Sequence, residues 1–283
     1  MNSTPFQNYL HSFSLKKAFW FTFAIDLIFI VLVVLAFMAF NNYAKAKTTS
    51  IAGTADPEQF QQQLATMTPE QLLSFGEGIK SFLTVFAVGL LVLIVFTWLG
   101  YSLAAAWNWN YLTGRKFQLR TAYWRWNALQ LIILLLTVGY VAIALLIKLL
   151  FSLLFSLAIE NANLLQFLNQ LVSLLLLLLF FIFLFLIYHS FVQKYRVWES
   201  LAGGFKLFFS QARAIGIAYL FMMGTALALS LIYWLIYLLL SRQYLFPEKT
   251  TLWIQLVLSL LFLAWLRLYL LQTVPAVSKE RAA

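Results

Sequence analysis

Residues 171–192 read LVSLLLLLLFFIFLFLIYHSFV, a run of 22 residues without an acidic or basic side chain apart from one histidine. As a helix rising about 1.5 Å per residue, such a run is long enough to cross a hydrocarbon core of roughly 30 Å. Five further apolar runs of comparable length occur in the chain. The six runs are residues 18–40, 81–106, 128–151, 171–192, 215–240 and 252–274. The sequence therefore predicts an all-α polytopic membrane protein, one domain of residues 1–283 with six transmembrane helices.

The overall composition agrees with this class and excludes several functions. The chain is 63% hydrophobic and 10% charged, whereas soluble domains carry about 25% charged residues. It has no cysteine and two histidines, and it lacks the HExxH, G-x-S-x-G, phosphate-loop and dinucleotide-binding motifs. We therefore expect no enzyme activity, no cofactor and no metal site. The net charge of +10 does not indicate a nucleic-acid partner, because the cations flank apolar runs among aromatic residues, as membrane anchors do.

The distribution of charge predicts the orientation in the membrane. The N-terminal tail, residues 107–127, residues 193–214 and the C-terminal tail lie on one side and hold twelve Lys and Arg residues against two acids. The segments on the other side hold five Lys and Arg residues against six acidic residues. An excess of Lys and Arg marks the cytoplasmic side, so we expect both termini to be cytoplasmic, in the plasma membrane. We call the side that carries the excess the basic end.

Two segments at the basic end resemble each other. Residues 13–28, FSLKKAFWFTFAIDLI, and residues 117–132, FQLRTAYWRWNALQLI, are identical at seven of sixteen positions without a gap. A fainter third copy begins near Glu199. This similarity predicts three hairpin units, approximately residues 13–106, 117–192 and 199–274, each beginning with an amphipathic segment at the membrane surface. Because each unit has an even number of spans, the copies would share one topology.

Small residues and helix-start patterns give further expectations. Gly100 with Ala104, and Gly224 with Ala228, have the four-residue spacing that lets transmembrane helices approach closely. Residues 171–187 of the fourth run, LVSLLLLLLFFIFLFLI, include almost no small or polar residue, and this span is expected to face lipid. In the loop on the outer side, DPEQ and TPEQ both match the pattern of a capping residue followed by proline. We expect two short helices there, forming a cap over residues 55–80.

One pair of opposite charges falls within the apolar runs. Asp26 lies eight residues into the first run, and Arg267 lies seven residues before the end of the last. Both therefore sit roughly 10–12 Å inside the basic end of the membrane. Charges at this depth are costly unless paired, so we expect an Asp26–Arg267 ion pair between the first and last helices. The alternative is that Arg267 snorkels to the headgroups while Asp26 is protonated or hydrogen-bonded elsewhere.

Other polar residues are candidates for a path or an interface. Gln130 occupies the position of Asp26 in the second copy, and His189 ends the fourth run; both are candidate polar or gating residues. Cations interleaved with indoles at the basic end are typical of contact with an anionic leaflet, and such segments can lie flat on the membrane. These lipid-interface candidates are Lys16, Lys17, Trp20, Arg115, Lys116, Arg120, Trp124, Arg125, Trp126, Lys206 and Arg213.

Two hypotheses about function remain open at this point. The first is a non-catalytic scaffold, assembly factor or accessory subunit whose basic end contacts lipid and a membrane-protein partner. The alternative is a transporter or channel for a small solute, ion or lipid, with Asp26, Gln130 and Arg267 along its polar path. The sparse polar content of the spans favours the first.

Overall fold

The computed structural model of the chain describes residues 5–13, 17–52, 65–116, 119–159, 161–241 and 248–273. These residues form eight helices and contain no strand. The helices are α1 (Pro5–Ser12), α2 (Lys17–Ala52), α3 (Pro69–Leu112), α4 (Leu119–Ala158), α5 (Ala162–Lys194), α6 (Val197–Ser210), α7 (Ala212–Ser241) and α8 (Glu248–Thr273). All but α1 and α6 are long and apolar enough to cross a membrane, which gives six candidate spans among the described residues. The predicted fold class is confirmed.

Four of the six spanning helices, α2 to α5, extend well beyond their apolar runs. Helix α3 has 44 residues, so it is about 66 Å long, roughly twice the thickness of the hydrocarbon core. Its start is a capping box in which the Thr68 N–H donates to Gln71 Oε1 at 2.9 Å and the Gln71 N–H donates to Thr68 Oγ1 at 3.4 Å. Residues 69–80 are thus the first turns of α3, and the prediction that they form a separate short helix is wrong. The earlier part of the predicted cap, residues 55–64, lies outside the described residues.

The chain divides into two compact units, one of residues 28–101 and one of the residues before and after them. Within residues 28–101, α2 and α3 pack through aromatic rings. The Phe40 and Phe86 rings lie 5.2 Å apart, and a Cβ added at Gly89 would lie 2.6 Å from the Phe40 ring. Glycine at position 89 therefore makes room for Phe40 between the two helices.

In the other unit, α5 lies at the centre and packs against α4, α6, α7 and α8. Eleven of its residues are buried, nearly all in the half nearest the basic end: Leu178, Phe180, Ile182, Phe185, Leu186, Ile187, Tyr188, His189, Ser190, Phe191 and Val192. The expectation that this span faces lipid is therefore wrong for that half. Lipid tails are as apolar as leucine, so helix association depends on shape and packing, which composition does not reveal.

Helix α6 folds back along the end of α5. A Cβ at Gly203 would collide with the Ser190 hydroxyl, and one at Gly204 would lie 2.8 Å from Ile187 Cγ1. Further along α6, Phe205 packs on Phe183 with ring centroids 4.6 Å apart. Successive residues of α6 contact residues that lie progressively earlier in α5. The two helices therefore run antiparallel and in close contact. Residues 197–210 thus pack against α5 on one face, and their contact with the membrane surface stays a prediction.

The other segment expected at the membrane surface, residues 107–127, is a turn between two long helices. Helix α3 ends at Leu112, Gly114 takes a positive φ of 69°, and α4 begins at Leu119. A left-handed φ favours glycine because it has no Cβ. The segment therefore contributes the last turns of α3 and the first turns of α4, and it does not form a flat surface helix.

The N-terminal helix α1 packs on α7 and α8, a contact that the sequence did not predict. The Tyr9 ring stacks on Phe221 with centroids 4.7 Å apart, and its hydroxyl lies 3.0 Å from Thr225 Oγ1. From α8, the Trp265 indole donates to Ser12 Oγ at 2.9 Å. These contacts place α1 at the level of Trp265, two residues from Arg267, and join the N-terminus to the last hairpin.

Of the two close helix approaches predicted from small residues, one is confirmed and the other is wrong. A Cβ at Gly100 would lie 3.2 Å from the Phe29 ring, so α2 and α3 do approach closely there, and Ala104, one turn later, is buried. Gly224 has nothing within 4 Å of an added Cβ, and Ala228 is exposed. The predicted close approach at Gly224 and Ala228 is therefore wrong, because this face of α7 is turned away from the helices it packs on.

Candidate functional site

The structure brings Asp26 and Arg267 together inside the basic end. Arg267 Nη1 lies 2.5 Å from Asp26 Oδ2, and the two side chains are only 13% (Asp26) and 19% (Arg267) exposed. The second carboxylate oxygen, Asp26 Oδ1, accepts a hydrogen bond from Asn108 Nδ2 at 2.7 Å. Both oxygens of Asp26 are therefore bonded within the protein, and three helices, α2, α3 and α8, meet at one carboxylate. We call these three residues the Asp26 triad.

Asn108 is the member of the triad that sequence reasoning missed. It lies two residues beyond the apolar run 81–106 and between Trp107 and Trp109, so it resembles an interface residue. In the structure it is fully buried. The signal that could have identified it is its position: it lies in the last turns of a span, where α3 is at a depth comparable to Asp26 on α2.

Gln130 takes part in a separate buried contact. The Tyr188 hydroxyl of α5 donates to Gln130 Oε1 of α4 at 2.9 Å. The Tyr188 ring lies between two indoles, with its centroid 5.5 Å from that of Trp109 and 5.8 Å from that of Trp126, each at 24°. No hydrogen bond joins Gln130 to the Asp26 triad among the described residues. The two polar groups thus join different helices: Asp26 joins α2 to α3 and α8, and Gln130 joins α4 to α5.

Removing the Tyr188 hydroxyl tests the Gln130 contact. In Tyr188→Phe, Gln130 Oε1 loses its donor, and Gln130 Nε2 already lacks a partner among the described residues. We expect the free energy of unfolding to fall by about 1–3 kcal/mol, the cost of an unsatisfied buried polar group. Chemical denaturation in detergent, followed by circular dichroism, measures it.

The matched control is Tyr111→Phe, because the Tyr111 hydroxyl has no hydrogen bond within the described part of the chain and its ring is 44% exposed. Its free energy of unfolding should change by less than about 0.5 kcal/mol. Equal effects in the two variants would show that the Tyr188–Gln130 bond does not contribute to stability.

His189 is buried and is held within its own helix. Its Nε2 lies 2.9 Å from Gln193 Nε2, one turn later, and its ring lies parallel to Phe185 with centroids 6.4 Å apart. These contacts make His189 part of the packed end of α5. Among the described residues, no three His, Asp or Glu side chains are arranged to hold a metal ion.

The predicted interface residues separate into exposed and buried groups. Trp20 and Trp124 are 50% and 70% exposed, as expected at a membrane surface. Trp126 is 0% exposed, so its assignment to the interface is wrong; it lies on the face of α4 that packs against Tyr188 and Phe191. The exposed cations of the set are Lys17, Arg115, Lys116, Arg125, Lys206 and Arg213. Lys16 and the side chain of Arg120 lie outside what the structure describes.

Two of these cations also bind the end of α5. Arg115 Nη1 donates to the carbonyls of Val192 and Gln193, both at 2.8 Å, and Arg125 Nη1 donates to the Tyr195 carbonyl at 3.4 Å. A cation at a helix C-terminus satisfies free carbonyls and interacts favourably with the helix dipole. Arg115 therefore links the turn after α3 to the end of α5.

A short polar cluster follows at the α5–α6 turn. Tyr195 takes a left-handed φ of 51°, and its hydroxyl donates to Asn110 Oδ1. Partial burial raises the pKa of the Tyr195 phenol, although the Asn110 bond and nearby Arg115 oppose this. Arg196 donates to Glu199 at 2.7 Å, and this bond lowers the pKa of the exposed Glu199 carboxyl. At neutral pH the turn thus carries a charged Glu199 between Arg196 and Lys194, which lies 3.9 Å from it.

The protein is a multi-pass membrane protein whose helices contact the lipid bilayer. The candidate site is the basic end of these helices, where they pack closely and are joined by hydrogen bonds and an ion pair. Its exposed surface carries cations and indoles, and its buried interior holds the Asp26 triad and the Tyr188–Gln130 hydrogen bond. Comparison with protein-family models, with curated proteins and with solved structures gives no significant match to this chain.

Proposed function

We propose that the protein is a non-catalytic scaffold, assembly factor or accessory subunit of a membrane-protein complex, with the basic end as its docking surface. The observation that carries this proposal is that the polar groups inside the spans are used to hold helices together. Asp26 has both carboxylate oxygens bonded within the protein, and Gln130 accepts from Tyr188. The groups that a transport path would need are thus committed to interhelical bonds.

The surface of the basic end supports a docking role. Exposed indoles sit well at the headgroup level of a membrane, and each exposed Lys or Arg adds about 1 kcal/mol of attraction to an anionic leaflet. Trp198 on α6, which is 74% exposed, adds to Trp20 and Trp124. A rigid platform of this kind would bind anionic lipid and position a partner at the cytoplasmic face.

The test is stoichiometric co-purification of the full chain from its native host in mild detergent. The variant combines Lys116→Glu, Lys206→Glu and Arg213→Glu, three exposed cations at the basic end. The matched control combines Lys45→Glu, Lys47→Glu and Lys80→Glu, three exposed cations predicted to lie on the opposite side. We expect one membrane-protein partner at a fixed ratio, reduced at least about tenfold in the basic-end variant and unchanged in the control.

The contrary result is equally specific. If the wild-type protein elutes without a partner, and reconstituted vesicles show a solute or ion flux that Asp26→Asn abolishes while the variant remains folded, the protein is a transporter and the docking proposal is wrong. A partner lost equally in both charge variants would place the docking surface elsewhere.

A further inference from the structure

Two arginines from different places in the sequence bind the same end of α5. Arg115 Nη1 donates to the carbonyls of Val192 and Gln193, and Arg125 Nη1 donates to the carbonyl of Tyr195. The three carbonyls belong to four successive residues, about one helical turn. Protein bonds therefore position both guanidinium groups around one turn of the chain.

These bonds leave much of each guanidinium group for another partner. An arginine side chain has five N–H groups, and the bonds to α5 engage Nη1 alone. The Nε and Nη2 nitrogens still offer three N–H groups, in the planar fork that binds two oxygens of one anion. Arg115 and Arg125 are both exposed, so a ligand can reach that side of each group.

The charge of these arginines is not balanced by an acid. Carbonyls are neutral, and in the described part of the chain no carboxylate lies within ion-pair distance of Arg115, Lys116 or Arg125. Glu199 bonds instead to Arg196. The C-terminus of α5 contributes only about half a negative charge, so the three cations keep an excess of about 2.5 positive charges. The ligand that fits them is therefore an anion.

The depth of the cluster favours a lipid phosphate over an anion that arrives from solution. The apolar run of α5 ends at Val192, so the bonded carbonyls lie within about 5 Å outside the hydrocarbon core. A headgroup layer is about 5–8 Å thick on each side of that core. The flanking indoles of Trp124 and Trp198 are 70% and 74% exposed, which is typical of side chains at headgroup level. Every phospholipid already has its phosphate at this level, whereas an acid of a protein partner would have to enter it.

We propose that Arg115 and Arg125 bind the phosphate of one anionic phospholipid whose headgroup carries no cation, such as phosphatidylglycerol. The guanidinium N–H groups donate and the phosphate oxygens accept. A headgroup with its own ammonium group would be repelled by the excess positive charge, to which Lys116 adds. Because the basic end is proposed above as a docking surface, the phosphate site rests on that function and gives the lipid chemistry of the surface.

Lipid retention by the full-length protein tests the site. The protein in mild detergent is mixed with equal amounts of phosphatidylglycerol and phosphatidylcholine that have the same acyl chains, and native mass spectrometry counts the lipids that stay bound. At about 1 kcal/mol for each cation near the phosphate, we expect one phosphatidylglycerol to be retained at least about fivefold more than phosphatidylcholine. A large excess of glycerol 3-phosphate should not displace it. Displacement would assign the site to a soluble phosphate and overturn the lipid proposal.

Lysine variants separate phosphate binding from general attraction between charges. Arg115→Lys combined with Arg125→Lys keeps both charges but removes both forks, so the preference for phosphatidylglycerol should largely disappear. Arg196→Lys is the matched control, because Arg196 lies at the same turn and already bonds Glu199; it should keep the preference. Since Arg115 also holds the end of α5, Arg125→Lys alone is the second variant if the double variant does not fold, and it should weaken the preference.

The results that overturn the site differ from those that overturn the docking role. Equal retention of the two lipids by the wild-type protein, or a preference unchanged in the folded lysine variants, would show that the arginines do not bind a lipid phosphate. If the lysine variants instead lose the co-purified partner, the arginines bind an acidic segment of that partner, and the lipid proposal is wrong. Loss of the partner proposal alone, with lipid retention as expected, would leave the phosphate site in place.

Discussion

Replacing Asp26 with alanine should lower the free energy of unfolding by about 3–5 kcal/mol, because the change leaves Arg267 as an uncompensated charge inside the membrane. The pair is 2.5 Å apart and each partner is less than one-fifth exposed, so solvent compensates little. Asn108→Ala removes only a hydrogen bond to the carboxylate, and we expect a smaller loss of about 1.5–3 kcal/mol. Denaturation of the detergent-solubilised protein, followed by circular dichroism, measures both.

A double-mutant cycle separates the pair from the general effect of removing charge. Asp26→Ala combined with Arg267→Leu removes both charges, so the loss should be smaller than the sum of the single losses by about 1–3 kcal/mol. The control is Lys148→Ala, an exposed cation on α4, which should change stability by less than about 0.5 kcal/mol. Additive losses within about 0.5 kcal/mol would show that Asp26 and Arg267 do not interact in the folded protein.

The cycle also bears on function. If the triad fastens three helices and has no other role, the double variant should still bind the partner whenever it is folded. If Asp26 instead couples a flux, Asp26→Asn should abolish that flux without loss of folded protein. The stability and flux measurements therefore answer separate questions about one residue.

The sequence predicted the six spans and the depth of the ion pair because both follow from counting residues at a fixed rise per residue. Asp26 and Arg267 lie at matching depths whatever the details of packing. Helix ends were less predictable: α2 continues to Ala52 and α3 begins at Pro69, since a helix can continue into water after its apolar run ends. Hydropathy predicts which residues lie in the membrane, but it does not predict where the helix ends.

Packing partners could not be predicted from composition. In lipid the hydrophobic effect does not distinguish a buried leucine from an exposed one, which is why α5 looked lipid-facing and Trp126 looked interfacial. Helix α1 is too short for a periodic pattern to reveal that Tyr9 and Ser12 face other helices. The internal repeat and the orientation stay predictions, although the aligned positions Asp26 and Gln130 both bond to neighbouring helices.

The second large effect on stability is expected at Gly204, where α6 packs closely on α5. Gly204→Ala should lower the free energy of unfolding by about 1–3 kcal/mol, the usual range for overpacking. The new Cβ would lie 2.8 Å from Ile187 Cγ1 and 3.2 Å from the Ile187 N and Cα atoms. Because two of these are backbone atoms, a rotamer change cannot relieve the contact, and α6 must move away from α5. Hydrogen–deuterium exchange should then show faster exchange of the α6 amides, with little change in α4.

The sign of the effect makes this prediction specific to the α5–α6 contact. Alanine is a better helix former than glycine by about 0.5–1 kcal/mol, so the same substitution at an open helical site should stabilise the protein. Gly216 on α7 is such a site, with nothing within 4 Å of an added Cβ. Gly204→Ala and Gly216→Ala should therefore shift stability in opposite directions. If both variants were stabilised, α6 would not pack against α5 at Ile187, and residues 197–210 would be free to lie on the membrane surface.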